Sequence, residues 1–248
     1  MFKNNILKVI IGFAIVIIAV MSCKEESKKL YVGTNAEFEP FEYRESGNIV
    51  GFDIELVGEI AKLINVEIEI EDMAFDGLLP ALQTKKIDLI IAGMTATEER
   101  KKNVNFSESY YKSQQAIVVN NDENGINTFD NLVGKDVGVV LGYTGDLIVS
   151  EISNVRVQRY NATSEAIMGL KAKKVQAVVL DYEPAKNYSA QNPELKLIET
   201  DSESEEYAIA IRKEDTQLLD DINKALATLK ENGTYDALLN KLIKYFLS

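Results

Sequence analysis

Apolar and polar positions follow two distinct patterns along the chain. A continuous apolar run of strand length occupies 30–34, and 66–71 alternates apolar and polar side chains with a period of two. Apolar residues recur at every fourth position from Phe52 to Ile64, which predicts one apolar face of a helix. Further strands are predicted over 88–93, 116–119, 137–140, 177–180 and 207–211.

Helical patterns follow several of these strands. The segment 77–86 is predicted to be helical with Pro80 in its first turn, and another helix is expected to begin at Thr97. Two more helices are predicted over 215–230 and 234–246, separated by an Asn-Gly pair typical of a helix C-cap. This alternation predicts an α/β fold, with parallel sheets that carry helices on both faces, as one large domain or two smaller ones.

The composition limits the chemistry that is available to the chain. Its 248 residues are 46% hydrophobic, the normal share for a globular protein, so disorder is excluded as its main character. It has no histidine and a single cysteine, which excludes His-based triads, His-metal sites and an intrachain disulfide. A formal net charge of −12 repels phosphate backbones, so we expect no nucleic-acid partner. We expect neither a metal nor an organic cofactor.

The first 22 residues have the pattern of a signal peptide. Lys3 and Lys8 are their only charges, and 9–22 is uncharged but shorter than a membrane-spanning helix requires. The four residues that end at Cys23 resemble a bacterial lipobox, which implies cleavage before Cys23 and lipidation of its thiol. The segment 23–29 would then link the lipidated cysteine to the folded part. The alternatives are a buried structural cysteine or an uncleaved anchor helix.

Polar and aromatic side chains follow most of the predicted strands. In α/β sheets, ligands bind at the carboxyl ends of strands, so position alone makes these residues candidates for a binding site. Arg100 offers a planar, bidentate grip on a carboxylate, and Asp181 offers acceptors for an ammonium group. An anion binder and a cation binder together suit a zwitterion such as an α-amino acid. The other candidates are Asn35, Phe38, Phe75, Gly93, Thr95, Gly142 and Thr144.

Each of these residues also has an ordinary structural interpretation. Arg100 lies in a run of charges typical of a solvated helix face, and Asp181 alone is typical of a helix N-cap. Phe38 and Phe75 suit a hydrophobic core equally well, and Asn35 suits a turn. The residues taken singly leave both interpretations open.

Three longer segments carry a more specific signal. They are GTNAEFEPFEYRESGNIVGFDIELVGEIAKL (33–63), FDGLLPALQTKKIDLIIAGMTATEERKKNVNFSESYYKS (75–113) and LKENGTYDALLNKLIKYF (229–246). In this order they resemble the polar amino-acid family of bacterial extracellular solute-binding proteins, the capture subunits of ABC importers. The resemblance covers nearly all of the chain after the leader. It implies a protein that binds an amino acid and performs no enzymatic reaction.

The resemblance implies a type II periplasmic-binding-protein fold, in which two α/β lobes, each a sheet flanked by helices, are joined by two crossing segments. Lobe 1 would span 30–109 and 211–248, and lobe 2 would span 115–206. The crossing segments, 110–114 and 207–210, would act as a hinge that closes the lobes over the ligand. The first lobe is then discontinuous in sequence, which the linear pattern of strands and helices does not indicate.

The resemblance also implies how the ligand's charged groups are held. Arg100 matches the arginine that grips the α-carboxylate with both arms of its guanidinium, beside the backbone N–H of Thr144. Thr95 matches the threonine that bonds both the carboxylate and the ammonium group. Asp181, from the second lobe, and the backbone carbonyl of Gly93 would hold the ammonium group.

The residues that would contact the ligand's side chain include departures from the family pattern. Phe38 and Phe75 match an aromatic pair that sandwiches this side chain. Asn35 stands where many binders of basic amino acids carry Asp, and Val140 and Leu180 replace polar residues of some relatives. A dedicated lysine site is therefore disfavoured. A polar amino acid, glutamine or arginine, is favoured because two aromatic faces suit a planar amide or guanidinium.

The implied partners are an ABC permease with its ATPase, and a membrane reached through the lipid anchor. The protein is expected to act as a monomer in the cell envelope, on the extracytoplasmic side, in the periplasm or at the cell surface. Two alternatives share the fold. One is a sensory protein that reports ligand to a membrane receptor, and the other is a dehydratase-like enzyme with a general acid or base in the cleft.

Overall fold

The computed structural model describes residues 28–245, which form eight α-helices and fifteen strands. The leader, Cys23 and residues 246–248 lie outside the described residues, so the signal peptide and the lipobox stay predictions. Within 28–245, no helix combines the length and the apolar character that a membrane crossing requires.

Five strands form one of the two large sheets, and this sheet with its helices is called lobe 1. They are β1 (Lys29–Thr34), β5 (Glu67–Asp72), β6 (Leu89–Ile90), β7 (Asn105–Phe106) and β15 (Ala210–Ile211), in the spatial order β5-β1-β6-β15-β7. A small three-stranded antiparallel sheet precedes the first helix and comprises β2 (Glu37–Phe38), β3 (Glu42–Glu45) and β4 (Asn48–Val50). The helices of lobe 1 are α1 (Phe52–Leu63), α2 (Phe75–Gln83), the short α3 (Glu98–Lys101), α7 (Thr216–Glu231) and α8 (Thr234–Tyr245).

A second five-stranded sheet forms lobe 2. Its strands are β9 (Gln115–Asn120), β10 (Asp136–Val140), β11 (Arg156–Tyr160), β12 (Ala177–Asp181) and β13 (Leu195–Glu199), in the spatial order β11-β10-β12-β9-β13. The helices of this lobe are α4 (Thr144–Glu151), α5 (Thr163–Lys171) and α6 (Tyr182–Gln191), and a 3₁₀ turn covers Phe129–Leu132.

The chain passes between the two lobes twice, at a two-stranded antiparallel ribbon. One strand of the ribbon is β8 (Tyr111–Ser113), which leads out of lobe 1, and the other is β14 (Glu205–Tyr207), which leads back. Lobe 1 is therefore made of two separated stretches of sequence. The two lobes with their double crossing confirm the α/β, two-lobed fold class.

Most predicted elements are present, but the expectation of parallel sheets is only partly right. Strands β1, β5 and β6 are parallel, as are β10, β11 and β12, whereas β9, β13 and β15 run antiparallel to their neighbours. The reason is that β9 and β15 directly follow the two crossings. They enter their sheets from the side where the parallel strands end, and so they run in the opposite direction.

Two further predictions of secondary structure are wrong. The apolar run over 207–211 is not one strand, because Tyr207 pairs in the ribbon while Ala210 and Ile211 join the sheet of lobe 1. Helix α2 begins at Phe75, two residues before the predicted start, so Pro80 lies inside the helix and not in its first turn.

Aromatic packing joins the ribbon to the small three-stranded sheet of lobe 1. Phe41 is fully buried, and its ring centroid lies 5.4 Å from that of Tyr207 and 4.9 Å from that of Tyr111. Both tyrosines belong to the ribbon. Edge-to-face pairs at this spacing stabilise by about 0.5–1.5 kcal/mol each beyond the area they bury. The crossing segments are thus anchored in the core of lobe 1.

Gly51 is expected to be irreplaceable at the start of α1. Its φ is +127°, and a Cβ there would overlap the carbonyl group of Phe41 and lie 2.9 Å from that of Pro40. Gly51→Ala is therefore expected to lower the free energy of unfolding, measured in urea, by about 2 kcal/mol or more. Gly58→Ala, in the middle of the same helix and with open space around it, is the control. It is expected to raise stability by about 0.5–1 kcal/mol, and equal losses in the two variants would contradict the argument.

Candidate functional site

Arg100 is buried between the lobes. It is the third residue of α3, whose N-cap Thr97 accepts the backbone N–H of Arg100 with its side chain. Its guanidinium donates to the carbonyl of Thr95 at 2.7 Å and, across the cleft, to the carbonyl of Gly142 at 2.9 Å. The side chain is 6% exposed. The interpretation of Arg100 as part of a solvated helix face is therefore wrong.

The Arg100 guanidinium keeps donors for a ligand. It carries five N–H groups, and the two backbone carbonyls use two of them. Burial lowers the pKa of Arg100 to about 10, while the negative charges of Asp181 and Glu205 act in the opposite direction. The group stays positively charged at neutral pH, so it is a buried cation next to the cleft.

Asp181 faces Arg100 from lobe 2. It occupies the N-cap position of α6, but its side chain makes no capping hydrogen bond. Instead, its carboxylate accepts a hydrogen bond from the hydroxyl of Tyr207 at 2.6 Å, and the residue is 3% exposed. Burial raises the pKa of Asp181, against the opposing effect of the Tyr207 hydrogen bond and of the Arg100 charge. The carboxylate of Asp181 therefore does not cap the helix that follows it.

A chain of hydroxyl groups links the lobes beside this pair of charges. The hydroxyl of Thr144, at the start of α4, donates to that of Thr95 at 3.1 Å. The hydroxyl of Thr95 donates to a carboxylate oxygen of Glu205 at 2.7 Å. Residues from both lobes and from the ribbon therefore meet at one point.

Glu205 is the acidic residue of this site that the sequence did not reveal. It is 8% exposed, and its second carboxylate oxygen is buried without a hydrogen-bond partner. Burial and the nearby charge of Asp181 raise the pKa of Glu205 to about 7, while the Thr95 hydrogen bond opposes the shift. It lies in the acidic stretch 203–206, where no local pattern distinguishes one glutamate from another.

The aromatic candidates lie next to these charges. Phe38 and Phe75 are 3% and 8% exposed, and both also belong to the hydrophobic core, so the two interpretations of these residues are compatible. The Arg100 guanidinium lies 5.2 Å from the centroid of the Phe75 ring, a cation–π distance. Both rings contact Tyr143 of lobe 2, whose hydroxyl donates to Asn35. Tyr143 is the second residue of this site that the sequence did not reveal.

Gly93 is held in place by a buried carboxylate. Its φ is +51°, and a Cβ there would overlap the ring of Phe38. Its N–H donates to Asp53 at 2.9 Å, and Tyr110 donates to the same oxygen at 2.7 Å. Asp53 thus fixes the turn that carries the backbone carbonyl of Gly93, although it is not itself one of the candidate site residues.

The pH dependence of stability is expected to report on Asp53. Burial raises the pKa of Asp53 from its ordinary 3.8 to about 6, and it raises the pKa of neighbouring Glu42 well above its usual range. Between about pH 4 and pH 6, the folded protein holds a proton on Asp53 that the unfolded chain has lost. The stability of the wild type relative to Asp53→Asn should therefore fall as pH rises through this interval, in urea unfolding at each pH.

The matched control is Asp136→Asn. The Asp136 carboxylate is paired with the Arg156 guanidinium, which lowers the pKa of Asp136. Ionisation of Asp136 is then favoured in the folded state, so the stability of the wild type relative to Asp136→Asn should not fall as pH rises. If the stability of the wild type relative to Asp53→Asn stayed constant between pH 4 and pH 6, the buried carboxyl of Asp53 would not titrate in this interval.

All of the candidate residues within the described part of the chain meet at the cleft between the lobes, and the remaining candidate, Cys23, lies outside it. The cleft presents one guanidinium, two carboxylates, hydroxyl groups and aromatic rings. This set can hold a small molecule that carries both charges, with its body against the rings. Among residues 28–245, no group of three or more cysteine or acidic side chains is arranged to hold a metal ion.

Comparison with known proteins gives a consistent result. The family model of the bacterial extracellular solute-binding proteins, family 3, matches residues 30–245. The arginine-binding extracellular protein ArtP of Bacillus subtilis is 40% identical over 220 residues, which cover 86% of each chain. A crystal structure of a mutant of ArgBP from T. maritima superposes with a TM-score of 0.84 at 49% identity, and covers 87% of this chain and 95% of that one.

A further structure is that of an ancestral arginine-binding protein bound to glutamine. It matches with a TM-score of 0.84 at 45% identity, and covers 86% of this chain and 97% of that chain. The resemblance noted in the three sequence segments is thus confirmed over almost the whole described part of the molecule. The chain belongs to the bacterial extracellular solute-binding proteins of family 3.

Proposed function

We propose that this protein captures an L-α-amino acid with a polar side chain, glutamine or arginine, and delivers it to the permease of an ABC importer. The observation that carries the proposal is the placement of Arg100 and Asp181. They come from opposite lobes, are both buried, and face one cleft. Structures of relatives are described as bound to arginine or to glutamine.

The two charged ends of an amino acid have matching partners in the cleft. Arg100 has free N–H donors for the α-carboxylate, and the backbone N–H of Thr144 is close by at the start of α4. Asp181 accepts from the ammonium group, with the hydroxyl of Thr95 and the carbonyl of Gly93 as further partners. Phe38 and Phe75 contact the side chain. No step in this capture makes or breaks a covalent bond.

The lobes close over the ligand by bending at the ribbon formed by β8 and β14. Contacts across the cleft already connect the lobes: Arg100 bonds Gly142, and Ser164 donates to Glu37 at 3.1 Å. Because each contact joins residues on different lobes, opening the cleft would break all of them together. Ligand that bridges Arg100 and Asp181 would therefore stabilise the closed arrangement.

We propose that the protein acts as a monomer on the extracytoplasmic side of a membrane, held there by lipid on Cys23. The lipobox-like sequence before Cys23 supports the anchor. Cys23→Ser is expected to move the protein from the membrane fraction to the soluble fraction after cell lysis. Retention of the variant in the membrane fraction would argue for an uncleaved anchor helix.

Calorimetric titration tests the binding function. The purified protein is unfolded and refolded to remove carried-over ligand, and is then titrated with L-glutamine, L-arginine and analogues of both that lack the ammonium group. We expect at least one of the amino acids to bind, and its analogue to bind at least about 30-fold more weakly, because a buried carboxylate would lose its partner. Equal affinity for the analogue would contradict the role of Asp181.

A further inference from the structure

Tyr143 contacts both of the aromatic rings that are proposed to receive the ligand's side chain. Its ring centroid lies 5.5 Å from that of Phe38 and 4.6 Å from that of Phe75, and both contacts are edge-to-face. Phe38 and Phe75 belong to lobe 1, whereas Tyr143 precedes α4 of lobe 2. The tyrosine is 4% exposed. Closing the lobes thus brings an aromatic side chain of the protein itself against the pair.

The position of the Tyr143 ring is fixed at its far end. Its hydroxyl donates to the side-chain oxygen of Asn35 at 2.7 Å, and this contact is buried. The amide nitrogen of Asn35 donates to the carbonyl of Met73 at 3.0 Å, which leaves the oxygen facing the tyrosine. A ligand group that entered between Tyr143 and the phenylalanines would have to displace the ring and break this hydrogen bond.

A second side chain, that of Arg100, also contacts the Phe75 ring. The Arg100 guanidinium lies 5.2 Å from its centroid, next to the carbonyl of Gly142 that it also contacts. A ligand guanidinium stacked on the same ring would approach the positive charge of Arg100. A neutral amide meets no such repulsion. The position of the Tyr143 ring and the positive charge of Arg100 therefore both disfavour a long cationic ligand side chain.

We infer that Tyr143, held by Asn35, is a specificity-determining residue that favours glutamine over the longer, cationic side chain of arginine. This inference rests on the proposed function, since it concerns which amino acid the same cleft accepts. It decides between the two ligands that the sequence leaves open.

The test compares L-glutamine with L-arginine by calorimetry for the wild type, Tyr143→Ala and Tyr143→Phe. We expect the wild type to bind glutamine at least about tenfold more tightly than arginine, since a pocket that excludes a few extra atoms discriminates by about 10–200-fold. Tyr143→Ala should reduce this ratio by about tenfold or more, mainly through tighter binding of arginine. Tyr143→Phe keeps the ring but loses the hydrogen bond to Asn35, so its ratio should lie between the ratios of the wild type and of Tyr143→Ala.

Leu147→Ala is the matched control, because Leu147 lies on the helix that directly follows Tyr143 and is 41% exposed. It should leave the ratio unchanged. Tighter binding of arginine than of glutamine by the wild type, or an unchanged ratio in Tyr143→Ala, would overturn the inference and leave the proposed function standing. Absence of binding of both amino acids to the wild type would overturn the proposed function, and the inference with it.

Discussion

Arg100→Ala is expected to weaken amino-acid binding by about 2–5 kcal/mol, which corresponds to roughly 30- to 5,000-fold in Kd. The guanidinium is a buried cation that lies between the lobes, and backbone carbonyls use only two of its five N–H donors. Without it, the ligand's α-carboxylate would enter a desolvated site with no positively charged partner, next to Asp181 and Glu205. Titration calorimetry at neutral pH measures the change.

Two further variants show whether the loss belongs to the binding site. Arg156→Ala removes an exposed arginine that pairs with Asp136 on lobe 2, and it should leave Kd unchanged. Arg100→Lys keeps the charge but not the planar fork, so it should restore only part of the affinity. A Kd for Arg100→Ala within about threefold of the wild-type value would show that the carboxylate binds elsewhere.

Asp181→Asn is expected to separate binding from stability. The ligand's ammonium group would lose its buried counter-charge, and affinity should fall by about 2–5 kcal/mol. The free energy of unfolding without ligand should stay the same or rise at neutral pH. Burial raises the pKa of Asp181, which means that burial disfavours the charged carboxylate in the folded protein, and a neutral amide avoids this cost. Asparagine still offers an oxygen to the hydroxyl of Tyr207.

Calorimetry and urea unfolding of the same preparation measure the two effects. Asp136→Asn is the control for removal of a negative charge from lobe 2, because Asp136 lies in an exposed ion pair away from the cleft. It should leave affinity unchanged. If Asp181→Asn kept full affinity, the ammonium group would have to be held by another acceptor, with Glu205 the nearest candidate.

Much of the fold could be predicted because the elements follow from local pattern. The apolar face that begins at Phe52 became α1, and the alternation after 66 became β5, an exposed edge strand of its sheet. The prediction of one strand over 207–211 was wrong because the segment is apolar throughout, while its two ends pair with different strands. Periodicity identifies which side chains are buried, but it does not identify the strand against which they are buried.

The candidate site was predicted from strand ends and from family resemblance, and the structure brings those residues together. Arg100 shows the limit of local reasoning, since its charged neighbours on α3 are exposed and only Arg100 itself turns inward. Glu205 and Tyr143 were not found. One lies in an acidic stretch and the other in a glycine-rich turn, and neither position carries a sequence signal for a cleft.

The sequence by itself determined the succession of strands and helices, the acidic character, the absence of histidine chemistry and the family, because each depends on composition or on local order along the chain. Only the tertiary structure decided which distant residues meet. The chain crosses between the lobes twice, and this brings Thr95, Thr144 and Glu205 into one hydrogen-bonded chain although they are far apart in sequence. It also sets Tyr143 against Phe38 and Phe75, because side chains from separate lobes come into contact only when the lobes are assembled.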